Sequence, residues 1–268
     1  MFRRQFLIGA GAALLTAGLT EGCGGSPTSP GGGGGTPPPQ PNPQPPPTPP
    51  PSTPASLRIT RILAFGDSMT AGTTSPPFSL RALDAGLAQS YPFKLQMLLS
   101  SRYSSQTVSV FNAGFAGRKA SEDRSRLARS IADSSPELVI LLEGANDLNS
   151  IVGPGVNAAI DATVAAMEDM VRDTAARNIP IMVATLPPQR LGGPKAGGVD
   201  YLGKYNNDLK TMALKKGAML VDLNAQFPVA LIGQDGLHPS ELGYQTFADI
   251  VFDAIKTHYE IPPSTASR

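Results

Sequence analysis

The sequence predicts an α/β protein: one domain built as a three-layer α/β/α sandwich around a doubly wound sheet of five parallel strands. Two observations carry this. Short β-branched or aliphatic runs, each bounded by turn residues, alternate with longer segments of helical spacing from Leu57 onward. Such alternation is the signature of a parallel sheet covered on both faces by right-handed crossovers. The Gly and Pro content, 28 and 27 of 268 residues, is also divided unevenly, with 11 Gly and 14 Pro in residues 1–56 and an ordinary share beyond. A remaining body of about 200 residues is long enough to bury a core without a disulfide or metal staple.

The five expected strands are Ile59–Phe65, Thr107–Phe111, Leu138–Leu142, Ile181–Thr185 and Met219–Val221. Between them, Tyr91–Ser101 has helical spacing, with Phe93, Met97 and Leu98 taken as its inner face. A helix containing Leu127 and Ile131 precedes the third strand. Val156–Asn178 is a long amphipathic helix with Ile160, Val164, Met167, Met170 and Val171 on its apolar side. Tyr201–Lys216 and Leu242–His258 complete the series.

The front of the chain is of a different kind. Residues 1–23, MFRRQFLIGAGAALLTAGLTEGC, place Arg3 and Arg4 before an apolar run from Phe6 to Thr20, which is short for a membrane span but suits an export signal. Arg3-Arg4-Gln5-Phe6-Leu7 resembles a twin-arginine signal. Cys23 with Gly22 before it resembles a lipoprotein cleavage site, although Thr20 and Glu21 depart from the usual pattern. Lipidation of Cys23, conventional cleavage and an uncleaved anchor are the three readings, and each places the body outside the cytoplasm, in the cell envelope or secreted. Residues 24–56 are Gly- and Pro-rich and cannot bury apolar surface, so they read as a disordered linker that acts as a stalk. The body is expected over 57–262, with 263–268 as a tail.

Charge and composition exclude several classes. Arg3, Arg4 and Glu21 apart, the body carries 20 basic and 20 acidic residues, without the basic footprint of a nucleic-acid binder. The single cysteine forbids an intramolecular disulfide or a Cys-based metal cluster. Only His238 and His258 offer imidazole, and His258 reads as a favourable charge at a helix end. No G-x-x-x-x-G-K or G-x-G-x-x-G loop follows the first strand, against a nucleotide binder of flavodoxin type. No metal or organic cofactor is called for, and a monomer is expected.

Four polar motifs fall at the carboxyl ends of strands, where ligands bind in such sheets. Ser68 in GDSMT follows the first strand and reads equally as a residue facing the crevice or as a helix N-cap. Asn112-Ala113-Gly114-Phe115-Ala116-Gly117 follows the second and reads as a turn that can offer backbone N–H groups. Asn146 in GAND follows the third and reads as a side-chain amide donor at the same edge of the sheet or as a turn former. Asp235 and His238 in DGLHP stand three apart in a Gly- and Pro-containing loop, a spacing that lets the carboxylate orient the imidazole and that reads equally as a metal half-site or a helix entry.

Together, GDSMT, NAGFAG, GAND and DGLHP resemble the GDSL esterase/lipase family, also called SGNH hydrolases, over Ile62 to about Ile255. The stretches LVILLEGANDL and YNNDLKTMALKKGAMLVDL are most similar to its thioesterase/lysophospholipase/arylesterase branch. The resemblance implies the flavodoxin-like SGNH hydrolase fold, with Ser68 as nucleophile, His238 as base and Asp235 as its orienting partner. It implies an oxyanion hole from the Ser68 and Gly114 N–H groups and the Asn146 amide, and a small-molecule or lipid ester as substrate. An acetyl-carbohydrate esterase and an idle binding module on the same fold are the alternatives. Thr73–Ser90, with Phe78, Leu80, Leu83 and Leu87, and the Gly-rich Leu186–Asp200 are expected to border the crevice, the first as an acyl pocket or as packing, the second as a lid.

Overall fold

A computed structural model describes residues 54–75 and 89–262, all within Pro50–Arg268, the second of two units into which the chain divides. The export signal, Cys23, most of the linker, Phe78, Leu80, Leu83, Leu87 and the tail lie outside the described residues.

Five parallel strands form the sheet: β1 (Arg61–Gly66), β2 (Ser109–Gly114), β3 (Leu138–Leu142), β4 (Ile181–Ala184) and β5 (Met219–Val221). Their order is β2-β1-β3-β4-β5, so the chain winds outward from β1 in both directions. β3 and β4 are buried at every position and β1 at all but its first. That is why they read as continuous aliphatic runs rather than alternating ones. Gly66 is level with Gly114 of β2 and Leu142 of β3, so three strand ends finish on one line. The polar motifs begin there.

The helices are α1 (Ser68–Ala71), α2 (Tyr91–Arg102), α3 (Arg124–Ser134), α4 (Ala145–Asn149), α5 (Val156–Ala175), α6 (Leu202–Lys216), α7 (Leu223–Gln226) and α8 (Glu241–Tyr259). α2 packs with α8, and α5 packs with α3 and α6, which supplies the two outer layers. The Ser240 hydroxyl caps α8 by accepting from Gly243 N–H, and Tyr244, Phe247, Val251 and Ile255 form its buried stripe. His258 lies exposed in its last turn. A short antiparallel pair, Ser56–Leu57 with Glu260–Ile261, joins the two ends of the domain.

Two expectations are corrected. The inner face of α2 is Tyr91, Pro92, Leu95 and Leu99, while Phe93 and Met97 are 44% and 58% exposed. Tyr91 ranks low on apolarity alone, yet its ring stacks on Phe247 of α8 at 4.2 Å, and that contact turns the helix. The second strand also runs three residues further than expected. Asn112, Ala113 and Gly114 pair with Ala64, Phe65 and Gly66, so they belong to the sheet and the turn starts after Gly114.

Candidate active site

β1 delivers the chain to Gly66, and Asp67 makes the transition to α1. Its Oδ1 accepts from Met69 N–H at 2.9 Å and caps the helix. The capping role therefore belongs to Asp67, and Ser68, the first helical residue, has its hydroxyl free for other work. Ser68 Oγ lies 2.8 Å from His238 Nε2. Both residues are almost fully buried.

The loop between Ile232 and Pro239, beyond α7, brings the other two groups. Asp235 Oδ2 stands 2.5 Å from His238 Nδ1, while Oδ1 accepts from the N–H groups of Leu237 at 3.1 Å and His238 at 3.0 Å. A carboxylate can only accept, so Nδ1 carries the proton and Nε2 presents its lone pair to Ser68. The loop is fastened from outside: Gly233 N–H donates to His238 C=O and Asp235 N–H to Ser75 Oγ. Burial holds the imidazole below its ordinary pKa against the opposing pull of Asp235. Burial also pushes the Asp235 carboxyl up, but its bonds from the His238 ring and from two backbone N–H groups outweigh this and leave it below the usual range.

Asn146 is the second residue of α4. Its Nδ2 donates to Arg118 C=O at 2.8 Å and stands 3.3 Å from Asp67 Oδ2, so one carboxylate meets both the nucleophile helix and this amide. Gly114 does not reach the site as expected. Its N–H donates to Asn112 Oδ1 at 2.9 Å, and a Cβ there would fall 2.1 Å from Ala71 N. Gly114 is thus a packing glycine, needed where β2 abuts α1. Gly117, three residues on, stands at the crevice beside Ser68 and Asn146, with φ +81° and no described acceptor for its N–H. Sequence reasoning saw both glycines of NAGFAG but could not know that the ladder takes the first.

Behind these groups lies a buried ionic cluster that the motifs did not announce. Arg126 of α3 donates to Ala113 C=O at 2.5 Å, Gly66 C=O at 2.9 Å and Glu143 Oε1 at 3.1 Å, and also pairs with Asp123. Its guanidinium lies over the Phe65 ring at 3.8 Å. One side chain therefore ties the ends of β1, β2 and β3. Burial pushes the Asp67 carboxyl up to about 7, with the Asp147 charge adding to it and Met69 N–H opposing. Burial likewise raises Glu143, helped by the Asp67 and Asp123 charges.

The crevice has a volume of about 350 Å³ and is lined by Ser68, Asn146, Asn149, Lys195, Leu237 and His238, with smaller residues between. A second cavity of about 380 Å³ is lined by Asp147 and Thr163 and touches neither Ser68 nor His238. Segment 186–200 borders the crevice as expected but is strapped down rather than hinged. Arg190 N–H donates to Gly236 C=O at 2.9 Å, Lys195 N–H to Asp235 C=O at 2.8 Å, and Gly198 N–H to Asn149 Oδ1 at 2.6 Å.

The doubly wound parallel sheet, with Ser68, Asn146, Asp235 and His238 gathered along its carboxyl edge, has the architecture of the SGNH hydrolase class of α/β folds. The chain belongs to the GDSL-like lipase/acylhydrolase family, whose model matches residues 64–246. It is similar to an acetylxylan esterase from Geobacillus stearothermophilus at 22% identity, covering 74% of this chain and 96% of that one with a TM-score of 0.58. It is also similar to the lipase/acylhydrolase from Enterococcus faecalis at 20% identity, covering 78% and 100%, with a TM-score of 0.58. No curated protein matches the chain.

Proposed function

We propose that the protein is a serine hydrolase that cleaves carboxylic or thio-esters through an acyl-Ser68 intermediate. The observation that carries this is the unbroken chain Ser68 Oγ, His238 Nε2, His238 Nδ1, Asp235 Oδ2, with gaps of 2.8 and 2.5 Å. A neutral hydroxyl is a poor nucleophile, and here a base stands in reach to take its proton as it attacks the carbonyl. The proton is then given to the leaving alcohol or thiol, and water repeats the sequence to release the acid. The Ser68 and Gly117 N–H groups are the donors for the oxyanion, with Gly117 replacing Gly114 in that role, and the Asn146 amide joins them by giving up its 3.3 Å contact with Asp67 Oδ2. Membership of the lipase/acylhydrolase family supports the same reaction.

The described part of the crevice, about 350 Å³, is edged by amides and a lysine, which favours a short acyl group and a polar leaving group. Within the family this favours an acetyl-carbohydrate esterase as the second reading, beside the thioesterase/lysophospholipase/arylesterase branch. p-Nitrophenyl acetate, butyrate and palmitate, tested alongside an acetylated xylooligosaccharide, separate these. The expected order is acetate above butyrate, with little palmitate turnover; palmitate as the best substrate would overturn the short-acyl reading. No turnover of any ester would favour the idle binding module. We further propose that the domain works outside the cytoplasm, tethered through lipidated Cys23.

A further inference from the structure

Among the residues around the crevice, Lys195 carries the one ammonium, and its attachment is specific. Its N–H donates to Asp235 C=O at 2.8 Å, and its C=O accepts from Asn149 Nδ2 at 2.9 Å, so its backbone is held from the catalytic loop and from α4. From that point the ammonium comes within 3.6 Å of Asp235 Oδ2, the oxygen that also takes the His238 Nδ1 proton at 2.5 Å.

We propose that Lys195 is a positioning residue that sets the basicity of His238 by sharing the Asp235 carboxylate with it. When the ring takes the Ser68 proton, a second positive charge appears beside the same carboxylate. Lys195 opposes that charge, so the imidazolium gives its proton up more readily to the leaving group. Among the described residues, the charged groups acting on the ring are Asp235 from its own loop and Lys195 from segment 186–200. α1 presents the neutral Ser68 hydroxyl, and α4 presents the neutral Asn146 and Asn149. Asp67 is engaged with Met69 and Asn146. The Lys195 side chain is 54% exposed, so its effect is tempered by solvent and salt.

The inference rests on the triad reading, and its test reads the ring directly. The full chain has two histidines, so NMR titration gives two imidazole signals, assigned with His258→Gln. Lys195→Met keeps both backbone bonds and removes the charge, while Lys195→Arg keeps both. Lys195→Met is expected to raise the His238 pKa by roughly 0.5 unit, the scale of one nearby charge in a wet site, and to move the acid limb of kcat/KM with it. Lys195→Arg leaves both near the wild-type position, and about 0.5 M salt moves wild type toward Lys195→Met. An unmoved His238 in Lys195→Met, or equal shifts in both variants, would overturn the proposal. A shifted ring in a protein without ester turnover would instead fail the triad reading and leave the electrostatic coupling standing.

Discussion

Because Asp67 caps α1, the Ser68 hydroxyl is left to the His238 ring 2.8 Å away, and a buried polar pair is satisfied without competition from the backbone. Asn146 completes the residue-scale account, since its amide faces both Asp67 and Arg118 C=O. Asn146→Ala is expected to lower kcat by roughly 10²–10³ with KM little changed, as removal of one oxyanion donor does. A change confined to KM would make Asn146 a substrate contact instead. Ser68 and Asn146 are legible because their motifs follow strands directly, and Asp235 and His238 because they stand three apart in a Gly- and Pro-containing loop. Arg126 and Lys195 are not, and Gly117 is legible only as one of two glycines in a turn. A positive φ, a carbonyl acceptor on another strand and an ammonium on a distant loop leave no local pattern to read.

Elements were legible where burial is complete. β3 lies where expected because five consecutive aliphatic residues suit only a strand covered on both faces. The edge strand β2 was misjudged because Asn112 and Gly114 look like turn residues, yet they pair with Ala64 and Gly66. The difference between the two glycines is measurable. Gly114→Ala drives a Cβ to within 2.1 Å of Ala71 N and is expected to cost about 3 kcal/mol in urea unfolding. Gly117→Ala meets nothing within 4 Å and is expected to cost about 1 kcal/mol, the penalty of its left-handed backbone. Equal costs would contradict the assignment of Gly114 to packing and Gly117 to the crevice. In α2 apolarity alone points to the wrong face, and the stacked Tyr91–Phe247 pair decides its orientation.

For the whole molecule, the proposed tether through Cys23 has a direct test. Cys23→Ser is expected to move the protein from the membrane fraction to the soluble one, and unchanged partitioning would argue against the lipid anchor. The central claim is the acyl-serine reaction itself. It is tested most directly by treating the full chain with a fluorophosphonate and locating the adduct by mass spectrometry. One covalent adduct is expected, on Ser68, with both labelling and ester turnover lost in Ser68→Ala. Ester turnover that persists at the wild-type rate in Ser68→Ala would contradict it.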